Sequence, residues 1–181
     1  ALSAGIYFYT ITDGAGCIDS SGNVTITQPD SITIVSQTTT NVSCFGGNNG
    51  TATLTISGGT LPYVENWFGE DPNSLSNGTY NYQVSYNNGC TNSGGSGSIT
   101  IIQPLQLTVI EVTTNVSCNG GSDGTATLII TGGTPPYTRD WGSADTTNLA
   151  EGVYYYTVTD GASCIFSDSV AITEPSLLTF D

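Results

Sequence analysis

The sequence predicts an all-β protein built from tandem sandwich repeats, and three observations carry that prediction. Apolar residues alternate with Thr, Ser and Asn at a period of two, glycine-rich turns separate these stretches, and whole segments recur at a constant spacing. Ala52, Leu54 and Ile56 alternate with threonines, and Ala126, Leu128 and Ile130 repeat the arrangement. Tyr80, Tyr82, Val84 and Tyr86 alternate in the same way with Asn81, Gln83 and Ser85. A period of two sends alternate side chains to one face of a strand, so each stretch has a core side and a water side. No stretch shows the periodicity of an amphipathic helix.

Turn signals bound these strands: GGNNG at 46–50 and GGSDG at 120–124 before one strand, GGTLPY at 58–63 and GGTPPY at 132–137 after it. The recurrence sets the organisation. GTATLTISGG at 50–59 returns as GTATLIITGG at 124–133, NVSC at 41–44 returns at 115–118, and Trp67 returns as Trp141, each displaced by 74 positions. A third copy covers only the second half: LSAGIYFYTITDGAGC at 2–17 matches 75–90 and 149–164. Each copy closes on a short apolar strand and a proline, VTITQP at 24–29, ITIIQP at 99–104 and VAITEP at 170–175. Proline has no N–H to give to a ladder, so these prolines mark boundaries. The expected organisation is the C-terminal half of a repeat at 1–29 (strands F and G), complete repeats at 30–104 and 105–175, and the first strand of a following repeat at 176–181. A unit of about 74 residues is enough for one small core.

Two details point to an immunoglobulin-like sandwich. A single tryptophan, Trp67 or Trp141, falls where a third strand is expected. The element L-x-x-G-x-Y ends at Tyr7, Tyr80 and Tyr154, as in a tyrosine corner whose hydroxyl returns to nearby backbone. Trp67, Trp141, Tyr7, Tyr80 and Tyr154 are therefore read as structural; stacking on sugars is the other use of such aromatics.

Composition excludes much. The 181 residues hold one Lys or Arg, 15 Asp or Glu and no His, for a formal charge of −14. One cation, Arg139, cannot displace counterions from a phosphate backbone, so nucleic acid is not a partner. Without His the usual general base and the commonest transition-metal ligand are missing, and Ser and Thr have no activating base. Catalytic residues are expected to be none. Glu65, Glu70 and Asp71 crowd one polar turn without a convergent partner, which reads as a solvated loop rather than a glycosidase pair. No apolar run approaches the ~20 residues of a membrane span. The chain starts at Ala1, so a targeting signal is expected to have been removed or to lie outside it.

The fragments NVSCFGGNNGTATLTISGGTLPY, LSNGTYNYQV, NNGC and ITIIQP, with the tryptophan between them, resemble the SprB-type repeat of very large surface adhesins of gliding Bacteroidetes. The resemblance covers nearly the whole chain. It implies export, through the type IX system, and display at the cell surface in long filaments. It also implies a glycosylation pattern, Asp then Ser or Thr then an apolar residue or Thr, that fits Ser31, Thr146 and Ser169; three chance tripeptides are the alternative. The second repeat departs from the pattern at SYNNGC, where the Asp of TD-x-x-x-C is lost, and in a polar stretch from Thr91 to Ser98.

Five cysteines without C-x-x-C spacing read as disulfides of an exported protein rather than a zinc site. Habit pairs Cys44 with Cys90 and Cys118 with Cys164. In a sandwich, however, Cys44 lies near the A–B end and Cys90 in the F–G turn, and those ends stand a strand length of ~17–20 Å apart. A disulfide tolerates about 7 Å between Cα atoms. This favours Cys44 with Cys164, across two repeats, leaving Cys17, Cys90 and Cys118 for neighbouring segments. No cofactor is expected except calcium, for which Asp13, Asp123 and Asp160 are the candidate ligands, against the ordinary reading of turn aspartates bonded to N–H groups. The functional expectation is a non-enzymatic segment of an extracellular stalk or adhesin filament. Its partners are neighbouring repeats of the same chain, with surface polysaccharide or other cells beyond them. The alternative is a spacer or carbohydrate-binding module of a secreted glycanase.

Overall fold

The computed structural model describes residues 1–86 and 91–180. Among them the regular structure is entirely strand: β1 (Gly5–Thr12), β2 (Ile18–Ile26), β3 (Thr33–Thr40), β4 (Thr51–Ser57), β5 (Tyr63–Asn66), β6 (Gly78–Tyr86), β7 (Thr91–Ile101), β8 (Thr108–Thr114), β9 (Thr125–Thr131), β10 (Thr138–Asp140), β11 (Gly152–Thr159) and β12 (Ile165–Ile172). The protein is all-β and of sandwich type. β1 pairs with β2, β3 with β4 and β8 with β9, while β5-β6-β7 and β10-β11-β12 form three-stranded sheets. Alternation in the sequence becomes alternation in burial: β4 and β9 follow the same inward and outward pattern.

By backbone contact the chain divides into two compact units, one of residues 1–37, 54–68 and 81–97, the other of 38–53, 69–80 and 98–181. In the second unit β8 pairs with β9 from Thr108↔Thr131 to Thr114↔Thr125, and β11 pairs with β12 from Gly152↔Ile172 to Thr159↔Ile165. β12 also lies against β8, so the two sheets face each other. Between them sit Leu107, Val116, Ala126, Leu128, Leu149, Tyr156, Val158, Val170 and Ile172. Tyr156 reaches across from β11 and donates its hydroxyl to Glu111 of β8. Burial first, and then the Glu111 carboxylate, push that hydroxyl above its usual range, so it stays protonated as the donor.

In the first unit β1 and β2 form a hairpin, and β5 pairs with β6 from Tyr63↔Tyr86 to Asn66↔Gln83. Trp67, Tyr82, Val84 and Tyr86 are buried, with the Trp67 and Tyr82 rings 5.4 Å apart. Gln37 donates from β3 to the Tyr82 hydroxyl at 2.7 Å, the counterpart of the Glu111 contact with Tyr156.

Two features differ from the expected immunoglobulin pattern. Where seven strands are usual, the described residues of 30–104 and of 105–175 form five each, with an isolated bridge beside them, Gly50↔Leu75 or Gly124↔Leu149. Trp67 and Trp141 follow the third strand, just past the ends of β5 and β10, rather than lying within it. The short polar segments that follow them, GEDPNS at 69–74 and GSADTT at 142–147, are too rich in turn residues to extend a ladder.

Candidate functional site: the cysteine junction

The turn carrying Cys44 is held by its own polar residues. The Ser43 N–H donates to Asn49 Oδ1 at 3.0 Å, Asn49 Nδ2 donates to Ser43 Oγ at 2.7 Å, and the Gly47 N–H donates to the Cys44 carbonyl at 3.0 Å. A Cβ at Gly47 would sit 3.0 Å from Val42 Cγ1 and 3.2 Å from the Cys44 carbonyl, so the turn closes tightly on this glycine. From the far end of its repeat Gln103 accepts the Gly46 N–H at 2.8 Å.

The loop carrying Cys164 is built around Asp160, a carboxylate that is only 5% exposed. Its Oδ1 accepts the N–H groups of Ala162 and Cys164, both at 2.9 Å, and its Oδ2 accepts the Thr134 N–H at 2.8 Å. The Asp160 N–H closes the loop onto the Cys164 carbonyl at 3.0 Å. Burial acts to raise the Asp160 pKa, but donors from Thr134, Cys164 and Ala162 outweigh it and hold the carboxyl below its ordinary value of 3.8. In the second repeat Tyr86 takes this place, and its hydroxyl donates to the Asp30 carbonyl at 3.0 Å.

Cys44 and Cys164 are bonded to each other, with an S–S length of 2.02 Å, Cα atoms 5.7 Å apart and a sequence separation of 120. Cys164 Sγ also lies 3.4 Å from the Ser43 carbonyl oxygen. A cleft of about 440 Å³ beside the bond is lined by Phe45, Leu105, Leu107 and Phe166 among others. The alternative in which Cys44 bonds Cys90 and Cys118 bonds Cys164 is not the one present, because Cys44 is spent on Cys164. Cys90 lies outside the described residues. Cys17 and Cys118 are exposed thiols.

The aspartates considered for calcium lie in separate turns. Asp13 Oδ1 accepts the N–H groups of Ala15 and Cys17 at 2.9 and 2.8 Å, and Asp123 Oδ1 accepts the Ser117 N–H at 2.9 Å. Hydrogen bonds from Ser117, side chain and backbone, hold Asp123 below its usual pKa. Among the described residues no three acidic, His or Cys side chains gather as a metal-binding group. The three corner tyrosines return their hydroxyls to backbone: Tyr7 to the Ser3 carbonyl at 2.9 Å, Tyr80 to Ser76 at 3.0 Å and Tyr154 to Ala150 at 3.1 Å. The Trp141 ring lies tilted against Tyr156, with centroids 5.0 Å apart. Trp67 gives its N–H to Glu65 at 3.1 Å, which ties that acid into a structural contact. Ser31 is exposed, while Thr146 and Ser169 are half-buried. Two further structural tyrosines escaped the sequence reading: Tyr63 and Tyr137 donate to the carbonyls of Gly58 and Gly132, each at 2.5 Å. The repeated GG-T-x-P-Y was the available signal.

Among the described residues no helix is long and apolar enough to cross a membrane, which says nothing of membrane β-barrels. No curated protein matches the chain, and no solved structure does. The family model of the SprB repeat matches residues 36–64 and 110–146. Those stretches contain the Cys44 and Cys118 turns, the strands β4 and β9, and the Gly-Gly turns after them. The chain is thus similar to the SprB repeat at two places, once around Cys44 and once around Cys118.

Proposed function

We propose that this chain is a length of an extracellular, non-enzymatic tandem-repeat stalk or adhesin filament whose repeats act as spacers in series. The observation that carries this reading is the Cys44–Cys164 bond, which ties one sequence repeat to the next across a separation of 120 residues. A spacer under load needs each joint to hold, and a covalent tie between repeats gives it a path for force that does not run through strand hydrogen bonds. The acidic composition and the SprB family match fit display outside the cell, and attachment or gliding is the role such a filament would serve. The test is mechanical. Pulling single chains from their two ends under oxidising and then reducing conditions should add roughly 400 Å of contour length on reduction, taking ~3.4 Å for each residue released. Equal lengths in both conditions would count against a load-bearing joint.

One observation favours the carbohydrate-binding reading. Tyr155 is 76% exposed and lies with Val153 and Trp141 along one hollow, an arrangement suited to stacking on a sugar ring. The equivalent position in the second repeat is Asn81. Tight binding of a surface polysaccharide, abolished by Tyr155→Ala, would replace the pure spacer reading.

A further inference from the structure

The Cys44–Cys164 junction has two halves, and the chain contains each half a second time. The Cys118 turn repeats the backbone N–H bonds of the Cys44 turn. The Ser117 N–H donates to Asp123 Oδ1 at 2.9 Å, where Ser43 uses Asn49. The Gly121 N–H donates to the Cys118 carbonyl at 2.9 Å, as Gly47 does to Cys44. The Gly120 N–H donates to Glu174 at 2.6 Å, as Gly46 does to Gln103. Val116 donates to the Thr173 carbonyl and Val42 to that of Ile102, both at 3.0 Å. Ser117 and Ser43 hydroxyls stand at nearly the same distance from the neighbouring sulfur, 3.8 and 3.9 Å.

The Cys17 loop in turn repeats the Cys164 loop. Asp13 Oδ1 accepts the Ala15 and Cys17 N–H groups as Asp160 Oδ1 accepts those of Ala162 and Cys164, and the Asp13 N–H closes on the Cys17 carbonyl at 3.0 Å as Asp160 closes on Cys164. The loop is thus in its bonding shape without a partner, so docking would cost little ordering entropy. Cys44 and Cys164 are half-buried at their junction, whereas Cys17 and Cys118 are exposed. Among the described residues there are one joined pair, one spare loop and one spare turn of complementary kind.

We propose that the Asp13–Cys17 loop of one copy of this chain docks on the Cys118 turn of a second copy and forms a Cys17–Cys118 disulfide there. Such a contact is head-to-tail, and because each copy keeps one loop and one turn it leads to open chains rather than closed pairs. The proposal does not depend on the stalk reading. Bond formation needs an oxidant, here a small-molecule disulfide. The Cys118 thiolate attacks glutathione disulfide and releases one glutathione thiolate. The Cys17 thiolate of the other copy then attacks the Cys118 sulfur of the mixed disulfide and releases the second. Two protein thiols are oxidised, one glutathione disulfide is reduced to two thiols, and the two protons pass to solvent or glutathione.

The test starts from monomer with the Cys44–Cys164 bond intact, incubated with glutathione disulfide and run without reductant. A ladder of dimer, trimer and longer species is expected, yielding a Cys17–Cys118 cross-linked peptide from every band above monomer. Cys17→Ser alone and Cys118→Ser alone should each stay monomeric, and an equimolar mixture of the two variants should give dimer and stop there. Both cysteines are exposed, so circular dichroism of the variants should match the parent. A ladder that persists in Cys17→Ser, a Cys17–Cys17 dimer from Cys118→Ser, a Cys17–Cys118 peptide found in monomer, or no cross-linking at all would overturn the proposal.

Discussion

The hairpins β1–β2 and β11–β12 are nearly the same sequence in two settings. GIYFYTITDGAGC at 5–17 and GVYYYTVTDGASC at 152–164 make the same strands, the same closing loop and the same tyrosine corner. Yet Tyr156, Val158 and Val170 are 2%, 0% and 5% exposed, while their counterparts Tyr9, Ile11 and Val24 are 48%, 60% and 53% exposed. The difference is the second layer. β11–β12 packs on β8 and β9 through the shared core, whereas the same face of β1–β2 stays open. Hydrogen bonding along the ladder and the local turns thus belong to the hairpin itself, and burial belongs to the partner sheet.

The largest test of that division is truncation of the shared tyrosine. Tyr156→Ala should lower unfolding stability by about 3–5 kcal/mol, because it empties a packed site and leaves Glu111 without its donor. Tyr9→Ala should cost less than about 1 kcal/mol. Urea unfolding followed by Trp141 fluorescence and by hydrogen exchange of each hairpin would measure both, and equal costs would break the comparison.

A smaller effect is expected at the loop aspartates. Asp160→Asn keeps one acceptor but turns an amide donor toward the Thr134 N–H, at a cost of about 2 kcal/mol. Asp13→Asn, with two donors on a single oxygen, should cost under about 1 kcal/mol. The Asp160 carboxyl is held below 3.8, so its stabilisation is present in full above that unfolded value and is lost as pH falls through the lower folded one. Thermal melts from pH 5 downward should show this loss in the parent and a flatter profile in Asp160→Asn.

The smallest effect should also be the most uniform. Tyr7→Phe and Tyr154→Phe each remove one hydroxyl bond to backbone four residues away, and each should cost about 1 kcal/mol by local hydrogen exchange. Because the corner is built within the hairpin, the two values should agree within error. A much larger value at Tyr154 would mean that the second layer stiffens even this local bond.

Much of this was legible in the sequence because strands announce themselves by alternation. The faces of β4, β6 and β9 follow directly from Ala52 to Ile56, Tyr80 to Tyr86 and Ala126 to Ile130. The corner tyrosines were legible through the L-x-x-G-x-Y element, whose spacing lets a hydroxyl return to backbone four residues earlier. What stayed hidden depended on contacts between distant positions. Nothing local marks Gln37 or Glu111 as partners of Tyr82 and Tyr156, each 45 residues away. Asp160 stood out as an acid at a strand end and so as a calcium candidate; its burial among backbone donors comes from Thr134, which is remote in sequence. The open face of β1–β2 could not be read from alternation, since the pattern states which side chains seek cover and not whether a cover is present.

The Gly-Gly turns carry one more consequence. A methyl group on Gly59 would fall 1.9 Å from the Tyr86 ring, and one on Gly133 would fall 2.7 Å from Asp160 Oδ2. With no side chain in the way, the same recess accepts a phenol in one repeat and a carboxylate in the next while the strands on either side keep their register. The recess can therefore change its chemistry, from a neutral hydroxyl to a charged acid, by one residue at a time and without renegotiating the frame around it.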